Sequence, residues 1–168
     1  MGNNDLLSNL HIVAAFYPVA DAFSGGITTD AVSLASYKRA TLVVMTGAIE
    51  DAGISNLVTV EACTSAAGGN NTAMPFRYRA CRSSTTVDTW SALTAAASTG
   101  YNFALNNAVL DTMWYLEVTA AEVAAAYAGA YFVRAVIAET ANKTITAGGL
   151  WILSEPRFPN SIPVQAIA

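Results

Sequence analysis

Short apolar runs alternate with small polar clusters along most of the chain, the pattern of many short strands joined by turns. Val32 to Ser36 and Ala40 to Thr46 are the first clear strands, and Thr41-Leu42-Val43-Val44-Met45 has the β-branched enrichment of a buried one. Gly47 to Gly53 then reads as a turn. Leu57 to Thr64 places Val58, Val60 and Ala62 on one face and Leu57, Thr59, Glu61 and Cys63 on the other. The glycine- and asparagine-rich stretch Ser65 to Thr72 reverses the chain. Pro75 to Arg82 then puts Phe76, Tyr78 and Ala80 on one face and Arg77, Arg79 and Cys81 on the other, which predicts a hairpin with Glu61 near Arg77 or Arg79.

Trp90 to Ala97 is the next predicted strand, followed by a turn at Ser98-Thr99-Gly100, an aromatic strand from Tyr101 to Ala104 and a break at Asn106-Asn107. Thr112 to Val118 alternates well and runs into Thr119-Ala120-Ala121-Glu122, a capping box that predicts a short helix near 120–127. Gly129 stops that helix, strand character resumes from Tyr131 to Ile137, and Gly148 to Leu153 is the last strand. Pro156, Pro159 and Pro163 then favour a stiff extended segment. The pattern predicts one all-β domain: a core over 24–154, an N-terminal arm over 1–23 and an extended C-terminal arm over 155–168. No fixed-period repeat or charge run divides it.

Composition sharpens this picture at the surface. Charged residues are 12% of the 168 residues, against about 25% in an average domain, so an unusually large neutral surface needs covering. Subunit interfaces are depleted of Lys, Glu and Asp at their centres, so the chain leans towards an assembled protein. A net charge of −4 has the wrong sign for a phosphate-tracking surface and disfavours nucleic acid. The longest apolar run, Val123 to Val133, is 11 residues, whereas a membrane span needs about 20, so no membrane partner is expected. The first residues lack the positive region of a signal peptide, and Leu6 removes the myristoylation pattern, so synthesis in the cytoplasm is expected.

Candidate chemistry is sparse. His11, the single histidine, sits in the apolar Leu10-His11-Ile12-Val13, a structural setting rather than a catalytic one. Cys63, Cys81 and one remote histidine have no ligand spacing for zinc, and a reducing compartment predicts free thiols. The pairs Gly25-Gly26, Gly68-Gly69 and Gly148-Gly149 match no phosphate loop, so no cofactor is expected. Asp88, Asp111, Glu117 and Glu139 are carboxylates with nothing to single them out for glycoside hydrolysis. Trp90, Tyr101 and Trp114 would make a sugar-stacking platform if they shared a surface, although aromatics at strand spacing are usually core. Arg77, Arg79 and Arg82 form the one basic cluster, suited to cross-strand pairing or an acidic neighbouring subunit.

The Asp30-Ala31-Val32-Ser33-Leu34 opening, the Phe76-Arg77-Tyr78-Arg79 strand, Trp90 and the ending Leu150-Trp151-Ile152-Leu153-Ser154-Glu155-Pro156-Arg157-Phe158-Pro159 together resemble capsid decoration, or cement, proteins of tailed bacteriophages. The resemblance runs from about residue 30 onward through strand and turn patterns and has no chemical signature. It implies a β-sandwich or jelly-roll-like domain, often a homotrimer, on the outer capsid surface, bridging major capsid protein subunits without catalysis. On that reading both arms reach adjacent subunits, with Arg157 and Phe158 as the first anchoring pair, Pro159 and Pro163 stiffening the arm, and Arg77 and Arg79 as further contacts. The alternatives are a phage head-to-tail or tail structural protein and a carbohydrate-binding sandwich.

Overall fold

Apolar and polar alternation resolves into two antiparallel sheets in the computed structural model of the chain, which describes residues 9–49, 54–84, 87–105, 111–139 and 144–157. The strands are β1 (Leu10–Val19), β2 (Ile27–Thr28), β3 (Val32–Ser33), β4 (Tyr37–Ile49), β5 (Ile54–Cys63), β6 (Thr72–Met74), β7 (Phe76–Ser84), β8 (Val87–Trp90), β9 (Thr94–Ala96), β10 (Tyr101–Leu105), β11 (Asp111–Thr119), β12 (Phe132–Glu139) and β13 (Ile145–Pro156). Helix α1 (Ala120–Ala126) lies between β11 and β12. The larger sheet runs β1-β13-β4-β11-β7, with β8 and β9 side by side on the far edge of β7. In the smaller sheet β5 and β12 pair at the centre, β6 and β10 share the outer edge of β5, and β2 and β3 share that of β12. The described residues form an all-β sandwich that carries the short helix α1.

Strand parity decides what fills the space between the sheets. Leu42 and Val44 of β4, Trp114, Leu116 and Val118 of β11, and Trp151 and Leu153 of β13 point inward from the larger sheet and are buried. Val58, Val60 and Ala62 of β5 meet them from the other side, with Val133, Ala135 and Ile137 of β12. Each fully buried aliphatic side chain contributes about 1.5–3 kcal/mol relative to exposure. Phe103 of β10 stacks on Trp114 with centroids 4.3 Å apart, joining the sheets through two rings.

Among the described residues, Thr29, Thr46 and Asn56 are buried and polar, and Thr29 links the two sheets. Thr29, between β2 and β3, is buried; its hydroxyl accepts from the Ala135 amide (3.0 Å) and the Trp151 indole N–H (3.4 Å), and donates to the Asp30 carbonyl (3.1 Å). It thereby satisfies an amide of β12 and the indole of a β13 residue in the opposite sheet.

The capping box forms: Thr119 Oγ1 accepts from the Glu122 amide (3.3 Å) and Glu122 Oε2 accepts from the Thr119 amide (2.7 Å). Gly129 follows the helix at φ +82°.

Several expectations change in the folded chain. The predicted hairpin between Leu57–Thr64 and Pro75–Arg82 does not form, because β5 and β7 belong to different sheets. The short β6 returns along β5, with Met74 opposite Val60, and Pro75, which has no amide to donate, marks the crossing to the other sheet. Glu61 accordingly pairs with Arg134 of β12, its cross-strand partner, at 2.7 Å, rather than with Arg77 or Arg79. Gly68 makes room for that pair: at φ +73°, its missing Cβ lies where the Arg134 guanidinium sits.

Gly47 lies inside β4, whose ladder with β13 continues past it to Ile49. The stretch from Trp90 to Ala97 divides into the end of β8 and β9, and Ser91 between them takes over, its hydroxyl accepting from the Ala80 amide (3.0 Å). Residues 10–23, assigned from sequence to an arm, instead supply edge strand β1 and then bury Ala22 and Phe23 in the core. At the other end, β13 continues through Glu155 to Pro156, opposite Tyr37; the rest of the predicted C-terminal arm, 158–168, lies outside the described residues.

Thr29→Val keeps the side-chain shape but strands the Ala135 amide and the Trp151 indole. Urea unfolding should show a loss of about 2 kcal/mol with an unchanged m value.

Candidate interaction face

The register that buries one face of the larger sheet determines the other. Across β1, β13, β4, β11 and β7, the outward rows are Ile12-Ile152-Thr41-Glu117-Arg77 and Ala14-Leu150-Val43-Tyr115-Arg79. A third row, Gly148-Met45-Met113-Cys81, ends on Trp90 of β8. One region of this face is charged and the other is apolar.

The charged region is a chain of ion pairs. Arg39 of β4 binds Glu117 (2.6 Å) and Glu155 (2.8 Å), and Arg77 of β7 binds Glu117 (3.4 Å) and the helix residue Glu122 (3.2 Å). These contacts tie β13, β4, β11, β7 and α1 together. The hydrogen bonds to Glu117 and then Glu155 push the Arg39 guanidinium further up, fixing its charge. The carboxylates are a quarter to a half exposed, so each pair contributes at most about 1 kcal/mol.

The apolar region has no such internal partners. Ile12 is 54% exposed, Met45 52% and Tyr17 80%. A groove of about 550 Å³ lies among β1, β13 and β4, with Phe16, Pro18, Met45, Gly148 and Leu150 in its lining and no charged side chain. Its shape depends on the paired glycines: a Cβ on Gly149 would run into the Phe16 ring, and one on Gly148 would lie 2.9 Å from Pro18 Cγ. Across the sheet, Trp90 stacks on Tyr115 at 4.4 Å.

The candidate contact residues are distributed around this sheet. Arg77 and Arg79 are on its outer face, as strand parity predicts; Arg77 is held in the ion-pair chain, whereas Arg79 is exposed beside Tyr115. Arg157 is exposed just after β13, its amide donating to the Ser36 carbonyl (2.9 Å). Phe158, Pro159 and Pro163 lie outside the described residues. Sequence reasoning missed Arg39, the hub of the charge chain, and the groove formed by Ile12, Met45 and Gly148. Both arise from rows across strands, and the available signal was the alternation of Arg39 with buried Ala40 and of Met45 with buried Val44.

The other chemical candidates disperse. Trp114 is 2% exposed in the core, so Trp90, Tyr101 and Trp114 do not form one sugar-stacking surface, whereas Tyr101, stacked on Tyr78 at 3.8 Å, and Trp90 line one cavity of about 310 Å³. Glu117 and Glu139 belong to different sheets. His11 is half-buried beside the Tyr37 ring. Cys63 and Cys81 are buried on different sheets and are not joined by a disulfide, and burial pushes the Cys63 thiol up, against a smaller opposing pull from Arg134. Among the described residues, no three His, Cys, Asp or Glu side chains gather as a metal site, and no helix is long and apolar enough to cross a membrane.

No protein-family model and no curated protein matches the chain. Two solved viral structures align loosely. One is the T13 particle of infectious bursal disease virus, at TM-score 0.25 and 10% identity over 88% of this chain and 39% of that one. The other is the VP2 subviral particle of the same virus, with the same score and identity over 88% of this chain and 42% of that one. The chain thus spans about two fifths of their length, and alignments at this score define neither lineage nor activity.

Two outcomes follow from the site chemistry. Glu117→Gln removes both of its ion pairs and should lower stability by at most about 2 kcal/mol, and the difference should shrink in 1 M salt, where screening acts over roughly 3 Å. Because folding raises the Cys63 thiol above its unfolded value, its contribution is intact below about pH 8.5 and declines as pH rises through the folded value. Urea midpoints measured between pH 7 and pH 10 should fall less steeply in Cys63→Ala than in the parent protein.

Proposed function

We propose that this protein is a non-enzymatic virion structural protein that binds the outer surface of a tailed-phage capsid and stabilises contacts between major capsid subunits. The observation that carries this reading is the outer face of the larger sheet, where Arg39, Arg77, Glu117, Glu122 and Glu155 are paired with one another and the groove beside β1 has no charged side chain in its lining. A surface depleted of free charge suits a permanent contact with another protein. The strand and turn patterns that resemble decoration proteins supply the class of partner.

The mechanism is mechanical. Packed DNA presses outward on the shell, and a protein bridging two capsid subunits adds contacts that must break before those subunits separate. Weak individual contacts suffice, because once one is made the next is intramolecular. Arg79, exposed beside Tyr115, and Arg157, leading into Phe158 and the proline-containing segment, are the proposed anchors, since arginine and aromatic residues dominate interface energies.

The test is to mix the purified protein with expanded capsids lacking it, sediment them and count bound copies. Saturation at a copy number comparable to the major capsid protein is expected, and Arg157→Ala with Phe158→Ala should reduce it. Binding at only a handful of sites would overturn the reading in favour of a connector or tail role. Absence from the pellet together with glycan-dependent quenching of tryptophan fluorescence would overturn it in favour of sugar binding.

A further inference from the structure

We propose that the cavity at the margin formed by β7, β8 and β9 is a binding site for a neutral sugar ring. β8 and β9 extend the larger sheet beyond β7, and a cavity of about 310 Å³ lies where this margin meets edge strand β10 of the smaller sheet. Ligand pockets run from about 300 to 1,000 Å³, so this one has room for a single ring.

Tyr78 of β7 and Tyr101 of β10 supply its aromatic wall. Tyr78 has the inward parity of Phe76 and Tyr101 that of Phe103, and their rings stack at 3.8 Å between the two sheets. Both tyrosines are half-buried: the stack fixes the rings, and both still line the cavity. A ring held in place by its own packing is a ready surface for the C–H face of a sugar.

Hydroxyls line the cavity as well, and their protons are already engaged. Thr94, opposite Tyr78 in the register of β9 with β7, donates from Oγ1 to the Ala92 carbonyl (3.1 Å). Ser91 Oγ donates to the same carbonyl (3.2 Å) while accepting from the Ala80 amide (3.0 Å). The lone pairs that remain on both oxygens can only accept, so a ligand here must bring donors. Among the described residues no charged side chain lines the cavity, and a phosphate or carboxylate would therefore bring acceptors to acceptors with no cation between them. A purely apolar ligand would leave the lone pairs unmet. A neutral sugar satisfies both halves of the site, with its C–H face on the tyrosines and its hydroxyls donating to Ser91 and Thr94.

Calorimetric titration of the purified full chain with the methyl glycosides of glucose, galactose, mannose and N-acetylglucosamine tests this. At least one should bind, at about 1–10 mM for a single ring, and change the fluorescence of Trp90, which lines the cavity while Trp114 and Trp151 are buried. Thr94→Val keeps the shape of an exposed side chain, removes one acceptor and should weaken binding about three- to tenfold. Tyr101→Ala should weaken it about tenfold; because it also breaks the stack on Tyr78, Thr94→Val decides the matter should Tyr101→Ala fail to fold. Lys38→Ala, exposed on β4 two strands from β7, should bind as the parent does. Absence of binding by every glycoside, or binding unchanged in either folded variant, would overturn the proposal. A proline-rich peptide bound in the sugars' stead would overturn it in favour of a protein contact. Capsid sedimentation reads the other contact separately: a protein that both pellets with capsids and binds a glycoside supports both readings, and either can fail alone.

Discussion

Two indoles and one hydroxyl set the geometry on which the rest of the structure depends. Trp114 and Trp151 are the largest buried side chains of the larger sheet, and Trp114 stacks on Phe103 of the smaller one. Trp151 carries an N–H into the core, where an unmet donor would cost about 1–3 kcal/mol. Thr29 meets it, and the same oxygen holds the Ala135 amide, so the alignment of β13 over β12 is specified by a polar contact as well as by volume. A one-residue slip of any central strand would exchange its buried and exposed sets, so this core specifies the outer surface as firmly as the inner one.

That coupling explains the outer face. With Leu42 and Val44 committed inward, Thr41, Val43 and Met45 must point out; with Trp151 and Leu153 inward, Leu150 and Ile152 must point out. A monomer could carry polar residues at all of these outward positions without disturbing the core. The sequence instead carries valine, methionine, leucine and isoleucine there, so the strands read as near-continuous apolar runs, the pattern of strands covered on both faces. On this face Arg39 and Arg77 are engaged by Glu117, Glu122 and Glu155, whereas Arg79 stays exposed beside Tyr115.

The local part of this architecture was legible in the sequence. Thr119 and Glu122 mark the passage from β11 to α1 through a contact three residues long, and the alternation separated the core-facing Val58, Val60, Ala62 and Phe76 from Glu61, Arg77 and Arg79, although Cys63 and Cys81, on the outward parity, are buried as well. Pairing partners were not legible, because they are separated by tens of residues. Glu61 lies 73 residues from Arg134, yet Arg77 is nearer in sequence and equally suited in charge, and only the crossing at Pro75 separates the two possibilities. The groove was hidden for the same reason, since Ile12, Met45 and Gly148 become neighbours only after β1, β4 and β13 have aligned. Even β1 read as an arm, because its place at the sheet edge is defined entirely by β13.

The two ends of the outer face differ in what they can hold. Arg79 and Tyr115 lie three or more strands from β1, more than about 14 Å at normal strand spacing. Beside β1 the groove carries no charged side chain, and the edge itself is interrupted by Pro18 and by two register shifts, both of which turn a strand edge away from further pairing. Contact along the sheet normal, through side chains, is therefore the geometry that this sheet favours over pairing in its plane.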